Sequence, residues 1–96
     1  MPPATRHNDK DTGHDACPPR GLDEHSPDVF INGRGAGRQG DAYYLHGCHA
    51  HPQHKGVIAK GSSTVYINGK QAGRISDPVS CGGSVAEGSG DVFIGG

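Results

Sequence analysis

The residues of this sequence that could do chemistry are its cysteines and histidines. The cysteines are Cys17, Cys48 and Cys81, and an odd number is a poor basis for a disulfide framework. Seven histidines accompany them in a chain of 96 residues. Zinc favours four nitrogen or sulfur ligands in a tetrahedron, and a structural zinc site takes all four from the protein. The composition therefore favours metal ligation over disulfide bonding.

The candidate ligands are spread over several regions of the chain. His7, His25 and His49 are interpreted as solvated loop residues. Cys17 and Cys48 are interpreted as small buried residues or a disulfide rather than as metal ligands. The remaining candidates are His14, His46, His51, His54 and Cys81.

Enzymatic activity is not expected. A hydrolytic metal site keeps one coordination position open for water, and no HExxH or GxSxG motif accompanies the histidines. The chain is also too short to build both a scaffold and a substrate cleft. A small metal-dependent hydrolase is kept only as an alternative.

The segments that must position these ligands lie between copies of one repeated sequence. SPDVFINGRGAGRQGD at 26–41 and SSTVYINGKQAGRISD at 62–77 are identical at 9 of 16 positions. SGDVFIGG at 89–96 begins a third copy. Such repetition indicates one supersecondary unit that is used several times.

Each unit is predicted to be a β-hairpin, because β-branched and aromatic triplets favour strands and Asn-Gly favours a tight turn. A two-residue loop would pair Ile31 with Arg34 and Ile67 with Lys70. A loop longer by a residue or two is equally compatible, so the register stays open. No stretch has helical periodicity, because glycine and proline interrupt every long window.

The composition limits the fold and the possible partners. Hydrophobic residues make up 31% of the chain and 17 residues are glycine, so a conventional core is doubtful and a metal staple is expected. The net charge of −1 lacks the basic footprint of a nucleic-acid binder. Apolar runs are too short for a membrane span, and the N-terminus has no signal-peptide pattern.

The repeated unit, with its AGR and following Asp, resembles the PAAR-repeat family. The resemblance spans nearly the whole chain, from MPPATRHND and GHDACPPR through HKGVIAKGS to VSCGG near the end. GAGR and QAGR stand where the eponymous Pro-Ala-Ala-Arg would be, and Ser76 replaces a usual glycine before Asp77. Family members cap the spikes of type VI secretion systems and of contractile phage tails.

The resemblance implies an all-β fold: a small cone of short hairpins with pseudo-threefold symmetry and a metal near its tip. It implies one domain, residues 1–96, without a toxin extension. Three histidines and one cysteine usually hold zinc, although iron can occupy such sites. The implied ligands are His14, His46, His54 and Cys81, with His51 as the alternative to His46.

The resemblance also implies a partner. This is a homotrimeric β-helical spike, either a phage central spike or a VgrG-like protein, with one monomer per trimer. The triplets are expected to face inward or down onto it: Val29, Phe30, Ile31, Val65, Tyr66, Ile67, Val92, Phe93 and Ile94. The location implied is a virion or a secretion apparatus, assembled in the cytoplasm and driven into a target cell envelope. A zinc-binding module with another partner is the second hypothesis.

Overall fold

The computed structural model describes residues 1–13, 18–48, 51–54 and 56–96, and within 46–48 and 51–54 it describes the backbone alone. None of these residues is helical, so the described chain contains no helix able to cross a membrane. Six short strands form three separate antiparallel pairs. The strands are β1 (Phe30–Ile31), β2 (Arg34–Gly35), β3 (His46–Cys48), β4 (His51–His54), β5 (Tyr66–Ile67) and β6 (Lys70–Gln71).

The two Asn-Gly hairpins have the shorter of the two predicted loops. Ile31 lies opposite Arg34 in the β1–β2 pair, and Ile67 lies opposite Lys70 in the β5–β6 pair. In the first loop Asn32 has a φ of 56° and the following glycine a φ of 76°. Positive φ at both central residues is the type I′ geometry, whose twist matches that of the flanking strands.

The third unit is completed by the other end of the chain. Phe93 forms an antiparallel bridge with Pro3, and the Ile94 N–H donates to the Pro2 carbonyl at 2.9 Å. Residues 1–9 thus supply the second half of the hairpin that residues 89–96 begin. ATRHND at 4–9 is the counterpart of the AGR segments, which the sequence analysis did not align with them.

An arginine and an aspartate three residues later close each unit. The Arg38 Nε and Nη2 groups donate to the two carboxylate oxygens of Asp41, both at 2.9 Å, and the Arg38 backbone N–H donates at 2.8 Å. Two parallel hydrogen bonds between a guanidinium and a carboxylate fix geometry as well as charge. The three pairs are Arg6–Asp9, Arg38–Asp41 and Arg74–Asp77.

The three units contact one another in a closed cycle. The Gly37 N–H donates to the Thr5 carbonyl at 3.0 Å, Thr5 donates to Gly73 at 3.1 Å, and Gly73 donates to Gly37 at 2.9 Å. A Cβ on Gly37 would lie 2.8 Å from Thr5 Cγ2, and one on Gly73 would lie 3.0 Å from it. The centre of the cycle therefore accommodates one side chain, and two of the three units carry glycine there.

Each arginine also reaches across to the next unit. Arg38 Nη1 donates to the Asn68 side-chain oxygen at 2.9 Å, and Arg6 Nη1 donates to that of Asn32 at 2.9 Å. Arg74 Nη1 donates to the backbone carbonyl of Gly95 at 3.1 Å. The same acceptors receive hydroxyl hydrogen bonds from Ser26, Ser89 and Ser62, respectively.

Two separate apolar clusters form the core. One contains an isoleucine and an alanine from every unit: Ile31, Ile67, Ile94, Ala4, Ala36 and Ala72. The other belongs to the segments between the repeats: Leu22, Tyr43, Ile58, Val79 and Val85. A core thus exists despite the poor apolar content, because small alanines and glycines let the backbones pack closely.

Candidate metal end and docking face

The first candidate site is an exposed apolar surface, here called the docking face. It is formed by the leading residues of the repeated triplets. Phe30 is 59% exposed, Tyr66 57% and Phe93 47%, and Val29 and Val65 are also exposed. Single exposed apolar residues are ordinary, but three equivalent aromatics at equivalent positions indicate a surface made for contact.

The docking face exists because alternate residues of a strand point to opposite sides. Ile31, Ile67 and Ile94 are each only 8% exposed and meet in one cluster. Since these three isoleucines point inward, their preceding aromatic neighbours point outward around the same cluster. Of the nine predicted partner residues, the structure therefore turns the isoleucines inward, half-buries Val92 and exposes the other five.

Two carboxylates lie beside the docking face. Hydrogen bonds from the Asn68 amide and the Ser26 hydroxyl hold the pKa of Asp28 below its ordinary value. The Asn32 amide and the Ser89 hydroxyl do the same for Asp91. These carboxylates stay ionised at neutral pH, so the edge of an apolar face carries negative charge.

The second candidate site, here called the metal end, lies beside the other cluster. Cys81 is a half-buried free thiol that packs against this cluster. A Cβ on Gly56 would lie 2.5 Å from Cys81 Sγ, so only glycine lets the chain pass the sulfur. Burial, and after it the charge of Asp11, raises the pKa of the Cys81 thiol.

The strands that carry two other predicted ligands leave the core beside Cys81. The Tyr43 N–H donates to the Gly56 carbonyl at 2.9 Å, and the chain continues from this pair into β3 and β4. His46 lies directly opposite His54 in the register of these strands. The backbones of these two predicted ligands therefore pair across β3 and β4.

The alternative ligand His51 lies opposite Cys48, at the far end of the same strands. His46 and His54 are therefore the histidine pair nearer to Gly56 along the two strands. His14, Cys17 and His49 lie outside the described residues. Among the side chains that the structure describes, no three of the histidine, cysteine, aspartate and glutamate type cluster as metal ligands.

The metal end also holds two buried polar atoms without a described partner. Asp11 is 2% exposed and its Oδ2 accepts no hydrogen bond, and the fully buried Tyr43 hydroxyl makes none. Burial raises the pKa of that hydroxyl, and the charges of Asp11 and, more weakly, Cys81 add to the shift. Buried polar groups normally have partners. A half-buried thiol, two histidines whose backbones pair in register and a carboxylate oxygen without a described donor fit a metal with imidazole and thiolate ligands.

Asp11 is the site residue that the sequence analysis missed. Its signal is weak, since one of several aspartates in the N-terminal segment gives no indication of burial. The position of Asp11 depends on its antiparallel bridge with Val85, a residue that is far from it in sequence.

Known proteins resemble this chain over the repeats. The PAAR motif family matches residues 24–87. An NAD(P)(+) glycohydrolase toxin, Tse6, of Pseudomonas aeruginosa is 40% identical over 74 residues, which cover 71% of this chain and 17% of the toxin. A (p)ppApp synthetase toxin, Tas1, of the same species has the same identity and coverage. A double-stranded DNA deaminase toxin of Burkholderia cenocepacia is 36% identical over 71 residues, 72% of this chain and 5% of the toxin.

Proposed function

Because the chain belongs to the PAAR motif family, we propose that it is a structural protein that caps and sharpens a trimeric β-helical spike of a contractile injection machine. The observation that carries this function is the docking face, with its aromatic Phe30, Tyr66 and Phe93. A trimer of β-helices ends in three equivalent strand edges, which invite pairing unless they are covered. One monomer covers all three only if it presents three similar surfaces.

The proposed shape is a cone with pseudo-threefold symmetry, whose base is the docking face and whose tip is the metal end. Its support is the cycle of hydrogen bonds among Thr5, Gly37 and Gly73 and the division of the core into a cluster from the repeats and a cluster from the segments between them. The extents of 37 × 24 × 22 Å, one long and two nearly equal, agree with it.

The proposed metal is zinc, with iron as the alternative, held by His14, His46, His54 and Cys81. The backbone register that pairs His46 with His54 supports the choice of these two residues, and His51 stays the alternative to His46. When bound, a fully coordinated zinc supplies folding free energy, about 10–16 kcal/mol in small metallo-peptides. The chain's own part is to bring separate segments together beside Cys81.

The chain spans 17% or less of the length of the toxins that it resembles. The enzymatic activities in their names belong to those proteins, and for this chain we propose no catalysis. A likeness to toxins favours a type VI secretion apparatus over a virion as its setting. Assembly in the cytoplasm and delivery through a target cell envelope complete the proposal.

Binding to a spike tests the function directly. We expect this protein to form a complex with the β-helical spike trimer encoded in its own genome, at one monomer per trimer. Native mass spectrometry measures that stoichiometry. Any other ratio, or no complex with trimers from either a secretion system or a phage tail, would contradict spike capping and favour a module with another partner.

Variants of the docking face sharpen this test. Replacing Phe30, Tyr66 and Phe93 together by serine is expected to weaken spike binding at least about 100-fold, because buried aromatic anchors each contribute about 2 kcal/mol or more. Tyr44 and Leu45, 41% and 47% exposed, lie outside the triplets and serve as serine controls. Equal affinities for the two variants would mean that the spike binds elsewhere.

Removal of the metal tests whether it stabilises the proposed tip. A strong chelator is expected to lower the thermal midpoint, because the segments around Cys81 lose their common ligand. Elemental analysis before and after treatment distinguishes zinc from iron. An unchanged midpoint in protein shown to have lost its metal would contradict a structural role. A metal-bound water that exchanges with solvent would favour the hydrolase alternative.

A further inference from the structure

The buried carboxylate of Asp11 is one of the two polar groups of the metal end that have no described partner for a buried atom. Its Oδ1 accepts hydrogen bonds from the backbone N–H groups of Gly13 and Arg20, both at 3.0 Å. These two residues flank the segment 14–17. One oxygen thus binds the backbone of both residues, while Oδ2 remains buried without a donor.

Asp11 is held in place by the segment that follows Cys81. Asp11 forms an antiparallel bridge with Val85, and the neighbouring Thr12 N–H donates to the Ser84 carbonyl at 2.9 Å. A return bond joins the Ser84 N–H to the Thr12 hydroxyl at 3.0 Å. The backbone of Asp11 is therefore fixed, and its carboxylate cannot turn to solvent without breaking the two hydrogen bonds that Oδ1 accepts.

Among the side chains that the structure describes, no positively charged group pairs with Asp11, although it is 2% exposed. A buried carboxylate without a compensating charge is strongly unfavourable. Zinc with three neutral imidazoles and one thiolate carries one net positive charge, which one carboxylate neutralises.

Resting on the zinc proposed above, we propose that Asp11 is a positioning residue for the metal. Its Oδ2 accepts a hydrogen bond from the non-ligating ring N–H of a zinc-bound histidine. Ligating histidines almost always donate this second N–H to a carboxylate, a carbonyl or water, which fixes the ring and its tautomer. Asp11 thereby joins the backbone of Gly13 and Arg20 through Oδ1 to the ligand set through Oδ2.

Asp11→Asn isolates the role of Oδ2, because the amide oxygen can still accept from Gly13 and Arg20. Zinc affinity, measured by competition with a chromogenic chelator, is expected to fall about 10- to 100-fold, the usual loss when an outer-shell partner is removed. The stability of the metal-free protein is expected to stay the same or rise, because an uncompensated buried charge is gone. Asp91→Asn, an equivalent change beside the docking face, is the matched control and is expected to bind zinc like the parent.

Two outcomes would overturn this role. Parent-like zinc affinity in Asp11→Asn would show that Oδ2 does not position a ligand. An equal loss of stability with and without zinc would show that Asp11 only supports the backbone. A parent protein that takes up neither zinc nor iron would instead refute the metal proposal itself, so the two failures are distinguishable.

A second pair of variants tests whether a histidine imidazole or a bound water donates the hydrogen bond to Asp11 Oδ2. Tyr43→Phe removes the other unpartnered group, and Tyr44→Phe removes an exposed hydroxyl as the control. Tyr43→Phe is expected to leave zinc affinity within about threefold of the parent, and Tyr44→Phe likewise. A Tyr43→Phe loss as large as that of Asp11→Asn would overturn direct donation by imidazole, because Oδ2 would then act through a water held by the tyrosine. The absorption spectrum of the cobalt-loaded protein is expected to change in Asp11→Asn alone.

Discussion

At the scale of single residues, the residue before the aspartate of each Arg–Asp pair determines how tightly the chain can turn. Asn8, Gly40 and Ser76 occupy this position in the three units, with φ values of 71°, 89° and 79°. A left-handed backbone costs a residue with a Cβ roughly 1–2 kcal/mol, least for asparagine. Ser76 is therefore the strained member of the three.

We expect Ser76→Gly to raise the free energy of unfolding by about 1 kcal/mol, because glycine adopts this φ without strain. Urea denaturation of the metal-loaded protein measures the change. Ser63→Gly is the control, since Ser63 is also exposed but has no positive φ. A stabilisation that was equal in both variants, or absent in Ser76→Gly, would contradict strain at this turn.

At the scale of elements, the three Arg–Asp pairs, here called the arginine clamps, stabilise hairpins whose strands are very short. Each regular strand pair of the repeats has only two residues per strand, and an isolated hairpin of this size is not stable in water. Arg38 binds Asp41 within its own unit and Asn68 in the next. The clamp therefore closes a turn and joins two units with one side chain.

We expect Arg38→Met to cost about 3–5 kcal/mol, because it leaves Asp41 buried without its partner. Small proteins have about 5–15 kcal/mol of stability in total, so much of this protein would unfold. Thermal denaturation followed by circular dichroism measures the loss. Lys60→Met removes an exposed positive charge as the control and is expected to change little. Comparable midpoints for both variants would show that the clamp contributes only as an ordinary surface ion pair.

At the scale of the whole molecule, the closed cycle brings the two chain ends together. The third unit combines residues 89–96 with residues 1–9, and a Cβ on Gly95 would lie 3.1 Å from the Met1 sulfur. We therefore expect the stability of the fold to depend on the arrangement of the units around the cycle more than on their order along the chain.

A circular permutant tests this arrangement. Joining Gly96 to Met1 through a short glycine-serine linker and opening the chain between Lys60 and Gly61 is expected to preserve a cooperative thermal transition close to that of the parent. Opening the chain between Gly37 and Arg38 instead cuts the central cycle and is expected to abolish folding. Equal stability of the two permutants would contradict a cycle that holds the units together.

Part of each candidate site could be predicted from the sequence. Cys81, His46 and His54 were identified by residue type and by the resemblance, and the backbones of the two histidines pair in the strand register. Their ligation of a metal stays a prediction. The docking face was predicted as whole triplets, whereas the structure separates the exposed aromatics from the buried isoleucines. Alternation along a strand gives two faces, but only packing determines which one is covered.

The sequence by itself determined the all-β character, the repeated hairpins at Asn-Gly turns and membership of the family, because these features depend on local conformational preference and on short motifs. Only the tertiary structure decided that residues 1–9 complete the third unit, that the arginine clamps bind from one unit to the next, and that Asp11 lies buried beside Cys81. These features arise from contacts between residues that are far apart along the chain. Their formation depends on the packing of the whole cycle, which no short segment encodes.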